Sequence, residues 1–285
     1  MRIAYVILAH QLPEQLVRLV RRLNTPSALF LIHINRRSDD AVFRVARAGL
    51  AELDNVVFLR RHKLYWAGFG HVRATIEGLD ELYRRSAQFD YVALLTGQDY
   101  PIKPVSVIER TLAASGGRSF MAYDRLPGGL ADGMERITHW HSRRIGVAKG
   151  WHLKLPIRRR FPLGLVPYGG SSYWWLSRDA VDYVRRFLTE QPGYLRFFKH
   201  VDVPDEIFFH TILMNSSLHD SIVNDELRHV DWTRTPLPAV FRVGDFEELE
   251  RSPKLVARKF DSSVDAEILD RLDAKLLAPP RGPAG

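Results

Sequence analysis

An α/β fold, with a mostly parallel central sheet flanked by helices, follows from two observations. Short apolar runs of strand length alternate with segments whose apolar residues recur at helical spacing. The runs are apolar throughout, as strands covered on both faces are. Residues 3–9 are the first run, and Leu16, Val17, Leu19, Val20 and Leu23 follow at helical spacing. Residues 29–34 give a second strand and residues 41–53 a second helix. Residues 56–58 give a third strand, 75–83 a helix, and 91–95 a fourth strand. Ligands of such sheets usually sit beyond the carboxyl ends of the strands.

After Gly116 the rhythm changes. Strand-like pieces at 120–122 and 172–176 lie among long loops, and a basic, aromatic stretch runs from Arg136 to Tyr168. It holds Arg143, Arg144, Lys149, Lys154 and Arg158, Arg159 and Arg160. Ser177 stands where it can cap a helix through Val181, Val184 and Leu188. A last amphipathic helix carries Ile268, Leu269 and Leu272, and the Pro- and Gly-rich residues 278–285 read as a disordered tail. No internal repeat or domain linker is evident.

Of the 285 residues, 46% are hydrophobic and 26% charged, which suits a globular protein with a substantial core. No stretch approaches the roughly 20 apolar residues of a membrane span. The first residues read as a strand and not as a signal peptide. With no cysteine, disulfides, thiolate chemistry and Cys-ligated metals are excluded. The net charge of +8 suits a phosphate-bearing substrate, an anionic membrane surface or nucleic acid.

Pro204-Asp205-Glu206 stands directly before an apolar, helix-compatible run. Acids there complement a helix dipole, which favours their ionised form, and an ionised, sheltered carboxylate can serve as a general base. Beyond the fourth strand, residues 96–102 (Thr-Gly-Gln-Asp-Tyr-Pro-Ile) could hold a polar ligand; equally, Asp99 could cap a tight turn. His139 and His141 would share one face of a strand and could hold zinc, but no third ligand is evident. His10 and His33, near strand ends, suit a pocket rim or local hydrogen bonds. Asp39 and Asp40 are adjacent, and no two aspartates are separated by one residue, the arrangement that holds Mg²⁺ or Mn²⁺ on many sugar-nucleotide diphosphates. Fixed cations would have to replace the metal. Residues 254–261 set Lys254, Arg258 and Lys259 in a strand-like run, as solvated edge charges or as charges aimed at an anion. P-loop, dinucleotide and serine-elbow motifs are missing. A rival reading is a non-enzymatic binder of nucleic acid or anionic polymer through residues 136–160, with Trp140 and Trp151 interleaved.

Together these pieces resemble the core-2/I-branching β-1,6-N-acetylglucosaminyltransferases and peptide O-xylosyltransferases. The matching motifs lie in order at 4–10, 32–35, 66–70, 97–102, 170–174, 204–206, 231–232 and 257–261. The resemblance implies a GT-A-like fold in a single domain over 1–277. Residues 1–115 would form its nucleotide-binding half and 116–277 its acceptor and catalytic half. It implies inverting transfer of GlcNAc, or next xylose, from a UDP-sugar to the hydroxyl of a carbohydrate or other acceptor, with no divalent metal. It makes Glu206 the base and Lys259 a diphosphate cation, with Arg234 or Arg242 as partner. Ala9, His10, Asn35 and Trp66 fall beside the nucleotide and Asp99 beside the donor sugar. Gln98, Trp232 and Asp205 fall on the acceptor side. Asn35 departs from the family's usual Asp, which leaves donor choice open. The chain resembles bacterial members, so a cytoplasmic protein is expected, with peripheral membrane contact through the basic stretch and no nucleic-acid partner.

Overall fold

The computed structural model describes residues 1–128, 133–142, 152–275 and 277. Arg143, Arg144, Lys149, Trp151 and the tail from Ala278 lie outside the described residues. In chain order, β1 (Ile3–Ala9), α1 (Pro13–Leu23), β2 (Leu29–Ile34), α2 (Asp40–Gly49), β3 (Val56–Phe58), α3 (Gly70–Arg84) and β4 (Tyr91–Thr96) carry the expected alternation. Next come β5 (Asp99–Pro101), α4 (Val105–Ala114), β6 (Ser119–Arg125), α5 (Gly133–Thr138), β7 (His139–Ser142), β8 (Leu153–Arg158) and β9 (Tyr168–Ser177). After these come α6 (Arg178–Glu190), α7 (Pro192–Phe198), a 3-10 turn (Pro204–Glu206) and α8 (Phe208–Met214). Then β10 (Ile222–Val223), β11 (Arg228–Val230), α9 (Phe246–Arg251), β12 (Val256–Arg258) and α10 (Glu267–Lys275) follow.

Local chemistry accounts for the element ends. In α1, Pro13 occupies the first turn, Glu14 follows it, and Arg21 and Arg22 sit in the last turn, each complementing the dipole. Its buried stripe is Leu16, Leu19, Val20 and Leu23. Asp39 caps α2 by accepting from the Ala41 amide at 2.7 Å, and Asp40 pairs with Arg61. That helix stops at Gly49, short of the expected residue 53, whereas α3 starts five residues before the expected 75. Ser177 does precede α6, but its hydroxyl does not cap the helix. Instead it accepts from the Ser119 hydroxyl at 3.1 Å, a tertiary partner that displaces the local one.

The main sheet of the described residues runs β10-β6-β9-β4-β1-β2-β3. Its neighbours are parallel except for β9, which is antiparallel to both β4 and β6. Alternate residues of β1 feed two cores. Tyr5 and Ile7 pack with Leu16, Leu19, Phe30 and Phe246 on one face. Val6 and Leu8 pack with Leu79, Trp174, Val181 and Phe208 on the other. Since β2 and β3 lie to one side of β1 and β4 to the other, the strand order reverses between β1 and β4, and the carboxyl ends at such a reversal are where ligands of open α/β sheets usually bind. A second sheet, β11-β12-β5, stands just beyond β4, and β7 pairs with β8 in a hairpin.

Two histidines are locked inside these cores. His33 on β2 and His210 on α8 are fully buried. His33 Nε2 accepts from the His62 amide at 3.0 Å, the local role open to it in the sequence. Burial, mainly, holds both imidazoles down at about 4. The unfolded chain therefore binds protons between pH 6.5 and 4 that the folded chain refuses. Stability is full above pH 6.5 and falls as the pH drops through that window, by roughly 3 kcal/mol per histidine. Urea unfolding at pH 7 and pH 4.5 checks this, with His210→Leu expected to flatten part of the dependence.

Candidate active site

The carboxyl ends of β1 and β4 are joined by tight backbone turns. Ala9 and His10 end β1, and the Gly97 amide donates to Leu8 O at 3.1 Å. A Cβ on Gly97 would lie 3.1 Å from that of Ala9, so a larger residue would have to push Ala9 back by a few tenths of an ångström. Gln15 of α1, buried, donates to Gly97 O and Phe260 O at 2.9 and 3.2 Å and accepts from the Ser262 amide at 2.8 Å. It thereby joins the end of β4 to the segment after β12.

Two expectations are corrected here. Asp99 does not face a ligand: it is fully buried, with Arg228 Nε 3.0 Å from Oδ1, and it accepts from the Thr96 amide. Nor is Gln98 on an acceptor surface, because its buried amide donates to Phe260 O at 3.3 Å. The turn reading of this loop is the correct one.

The strand-like run near residue 258 is central to its small sheet, not an edge. Register in β12 sets Arg258 opposite Asp99. The Arg258 guanidinium donates to Thr96 Oγ1 and lies 5.4 Å from the Tyr173 ring centroid; Arg228 lies 3.9 Å from the same ring. Burial opposes the charge on Arg258, but Tyr173, Asp99 and Glu226 outweigh it and raise its pKa. Lys254 pairs with Asp225 at 2.8 Å, whereas Lys259 makes no ion pair among the described residues. His10 titrates below its ordinary value, through its close surroundings first and then the charges of Arg258, His71 and Lys259. The Phe260 amide, next to Lys259, donates to Gln98 O at 2.9 Å, which brings this segment to the turn that follows β4.

Lys259 N and O bond to Ala239 O and the Phe241 amide, which brings the loop before α9 alongside. In that loop Arg234 is neutralised by Asp231 and by Asp245 at 2.8 Å. Arg242 is exposed and forms no ion pair among the described residues. Trp232 lies in the same loop, 63% exposed.

The serine-rich motif of β9 links this region to the two acids. A Cβ on Gly170 would fall 2.0 Å from Ala122 O, so only glycine lets β6 and β9 meet there. Successive side chains then point to opposite faces. Ser171 donates to Glu226, and Ser172 donates to Asp205 Oδ2 at 2.9 Å. Asp205 thereby braces its turn through Oδ2. Glu226, pushed up by burial, is held by Arg228 and Ser171.

Glu206 ends the 3-10 turn, and α8 begins two residues later. Its carboxylate is half-buried and accepts from Arg136 at 2.6 Å. Burial pushes its pKa above 4.5; Arg136 opposes the shift, and Asp205 and Asp202 add to it. The dipole effect expected from the sequence, a lowered pKa, is overridden by desolvation. Ala67 O accepts from the Val203 amide at 3.0 Å, so the loop bearing the 78% exposed Trp66 abuts this turn. Asn35 shapes the far end of that loop, bonding Leu64 N and O, each at 3.0 Å. Its Oδ1 also accepts from the Arg37 amide at 3.0 Å, while the second hydrogen of its Nδ2 is not used by these bonds.

Sequence reasoning missed Gln15, Arg228 and Glu226, which carry no local spacing signal, and named Arg136 and Arg258 only as members of basic runs, without their partners. Two surface depressions, about 230 Å³ beside Ile76 and Leu195 and about 410 Å³ beside Arg18 and Asp273, are lined by other residues.

Comparisons with known proteins identify the family. The sequence profile of the family "Core-2/I-Branching enzyme" matches residues 3–251. Xylosyltransferase 2 of Rattus norvegicus is 29% identical over 99% of this chain, as is that of Homo sapiens. Xylosyltransferase oxt of Drosophila melanogaster is 26% identical over 98%. The chain spans about a third of the length of these relatives, 34–35%. With most of its length matched in one register, the chain belongs to the Core-2/I-Branching enzyme family.

Proposed function

We propose that this chain is a glycosyltransferase that moves a sugar from a UDP-sugar to an acceptor hydroxyl, with inversion and without a divalent metal on the diphosphate. The observation that carries the reading is the run of contacts from Glu206 and Asp205 through Ser172 and Tyr173 to Arg258 and Lys259. It links a sheltered carboxylate, by way of β9, to a cation at the carboxyl end of β4. Glu206 takes the acceptor proton as the hydroxyl oxygen bonds to C1 from the face opposite UDP. The bond from C1 to the phosphate oxygen breaks, and its electron pair leaves with the diphosphate. Lys259 and Arg242 meet that charge, with Arg258 behind them. Arg242 is preferred over Arg234 because Arg234 already has two acidic partners.

The names of the matched relatives support xylose as the sugar, and UDP-GlcNAc is the second candidate. Peripheral membrane contact is supported by β8, whose exposed Leu153, Leu155 and Ile157 alternate with Lys154, Pro156 and Arg158. Lys259→Ala is expected to weaken UDP binding about 10- to 100-fold, the loss of one charge-assisted contact. Calorimetry measures this, with and without Mg²⁺ or Mn²⁺. Unchanged affinity in the variant removes Lys259 from the reading, and a large gain from either cation removes the metal-free diphosphate.

A further inference from the structure

The two imidazoles singled out in the sequence, His139 and His141, are not partners. His139 Nδ1 lies 3.2 Å from the Thr138 hydroxyl, while His141 turns inward from β7 and is 4% exposed. Its true neighbours come from elsewhere in the chain. Nδ1 of His141 is 2.7 Å from Nε2 of His152, which precedes β8, and that same Nε2 is 3.8 Å from Asp202 Oδ1. The three ligand atoms lie within 4.8 Å of one another.

Their chemistry suits a cation. His141 Nε2 is 3.0 Å from Glu135 O, a carbonyl that can only accept, so this nitrogen carries the hydrogen. The Nδ1 lone pair is left facing the cluster. A metal-bound histidine is usually oriented in this way by a backbone carbonyl. His152 Nε2 lies between the other two ligand atoms, 2.7 Å from His141 Nδ1 and 3.8 Å from Asp202 Oδ1, so one ion can reach all three. Two imidazole nitrogens and one carboxylate favour zinc among biological divalent cations over Mg²⁺ or Ca²⁺, which prefer all-oxygen sites. Tetrahedral Zn–N bonds of about 2.0–2.1 Å set ligand atoms about 3.3 Å apart, within reach of small side-chain rotations.

We propose that His141, His152 and Asp202 form a zinc site that clamps the β7–β8 hairpin to the segment carrying Glu206. Asp202 stands four residues before Glu206, and its amide donates to Arg136 O at 3.2 Å, the residue whose side chain holds Glu206. An ion here would fix both partners of that pair at once. The site is built from residues other than Lys259, Arg242 and Arg258, so zinc here and metal-free donor binding are compatible. The inference does not depend on the transferase reading.

The test uses tag-free protein, stripped with chelator and dialysed against Zn²⁺. One zinc per chain is expected by elemental analysis, with Tm raised by roughly 5 °C at a hundredfold excess over Kd. Mg²⁺ should give no shift. His152→Ala and Asp202→Asn, at partly exposed positions, are each expected to weaken zinc at least about tenfold. His139→Ala should bind zinc as the parent does. Zinc bound equally by all variants marks incidental surface histidines and overturns the site, as does the lack of stoichiometric zinc in the parent. These readouts are independent of activity.

Discussion

Replacing Glu206 with Gln should lower turnover about 10²- to 10⁴-fold while UDP affinity stays within twofold. Gln keeps the shape of the side chain and still accepts from Arg136, so the turn is preserved and only the proton acceptor is lost. The pH profile gives a second reading. Because burial raises the pKa of Glu206, the acid limb of kcat/KM should rise through a midpoint above 4.5. Removing Arg136, which opposes that shift, should move the limb further up. Product release from the UDP-sugar, followed by chromatography across pH, measures both. Near-parental turnover in Glu206→Gln would falsify the base assignment, whatever the profile.

The largest effect on stability is expected at Asp99. Its partner Arg228 is 1% exposed and Asp99 itself is fully buried. Asp99→Asn leaves a dry guanidinium with the Leu94 carbonyl at 3.1 Å, the Glu226 contact at 3.4 Å and the Tyr173 ring, and no full counter-charge at close range. Breaking one side of such a pair costs about 3–5 kcal/mol, roughly 10 °C in Tm for a chain of this size. Replacing both members, as Asp99→Leu with Arg228→Met, should recover much of the loss because no orphaned charge remains. Calorimetric scans of the three proteins decide the matter. A double variant no more stable than Asp99→Asn would mean that the loop needs the carboxylate for its turn and not for the charge.

The parallel strands were legible because β1, β2 and β4 are buried on both faces and therefore apolar without interruption. The turn bearing Glu206 was legible because an acid pair before an apolar helix is a local pattern; the role of Glu206 came from the family resemblance. The remainder of the site depends on distance along the chain. Arg228 finds Asp99 across 129 residues, Arg258 finds Thr96 across 162, and Arg136 finds Glu206 across 70. Nothing in the spacing of an isolated arginine distinguishes such a partner from solvent. Asp99 and Gln98 were misassigned for the same reason: their residue types suit a ligand, and only the folded neighbours reveal that backbone and Arg228 already occupy them. Ser177 shows the converse at a helix end, where a local cap is displaced by a serine on another strand.

Gln15 also sets a schedule for biosynthesis. Its amide waits for Phe260, 245 residues downstream, before the Gly97 turn is fully held. At about 5–20 residues per second, roughly 10–50 s separate the emergence of the two. During that interval β1, α1 and β4 can assemble, but the cation-bearing strand β12 has not been made. Pulse-labelled nascent chains arrested before residue 255 should therefore resist protease across the first four strands while failing to be retained on a UDP matrix.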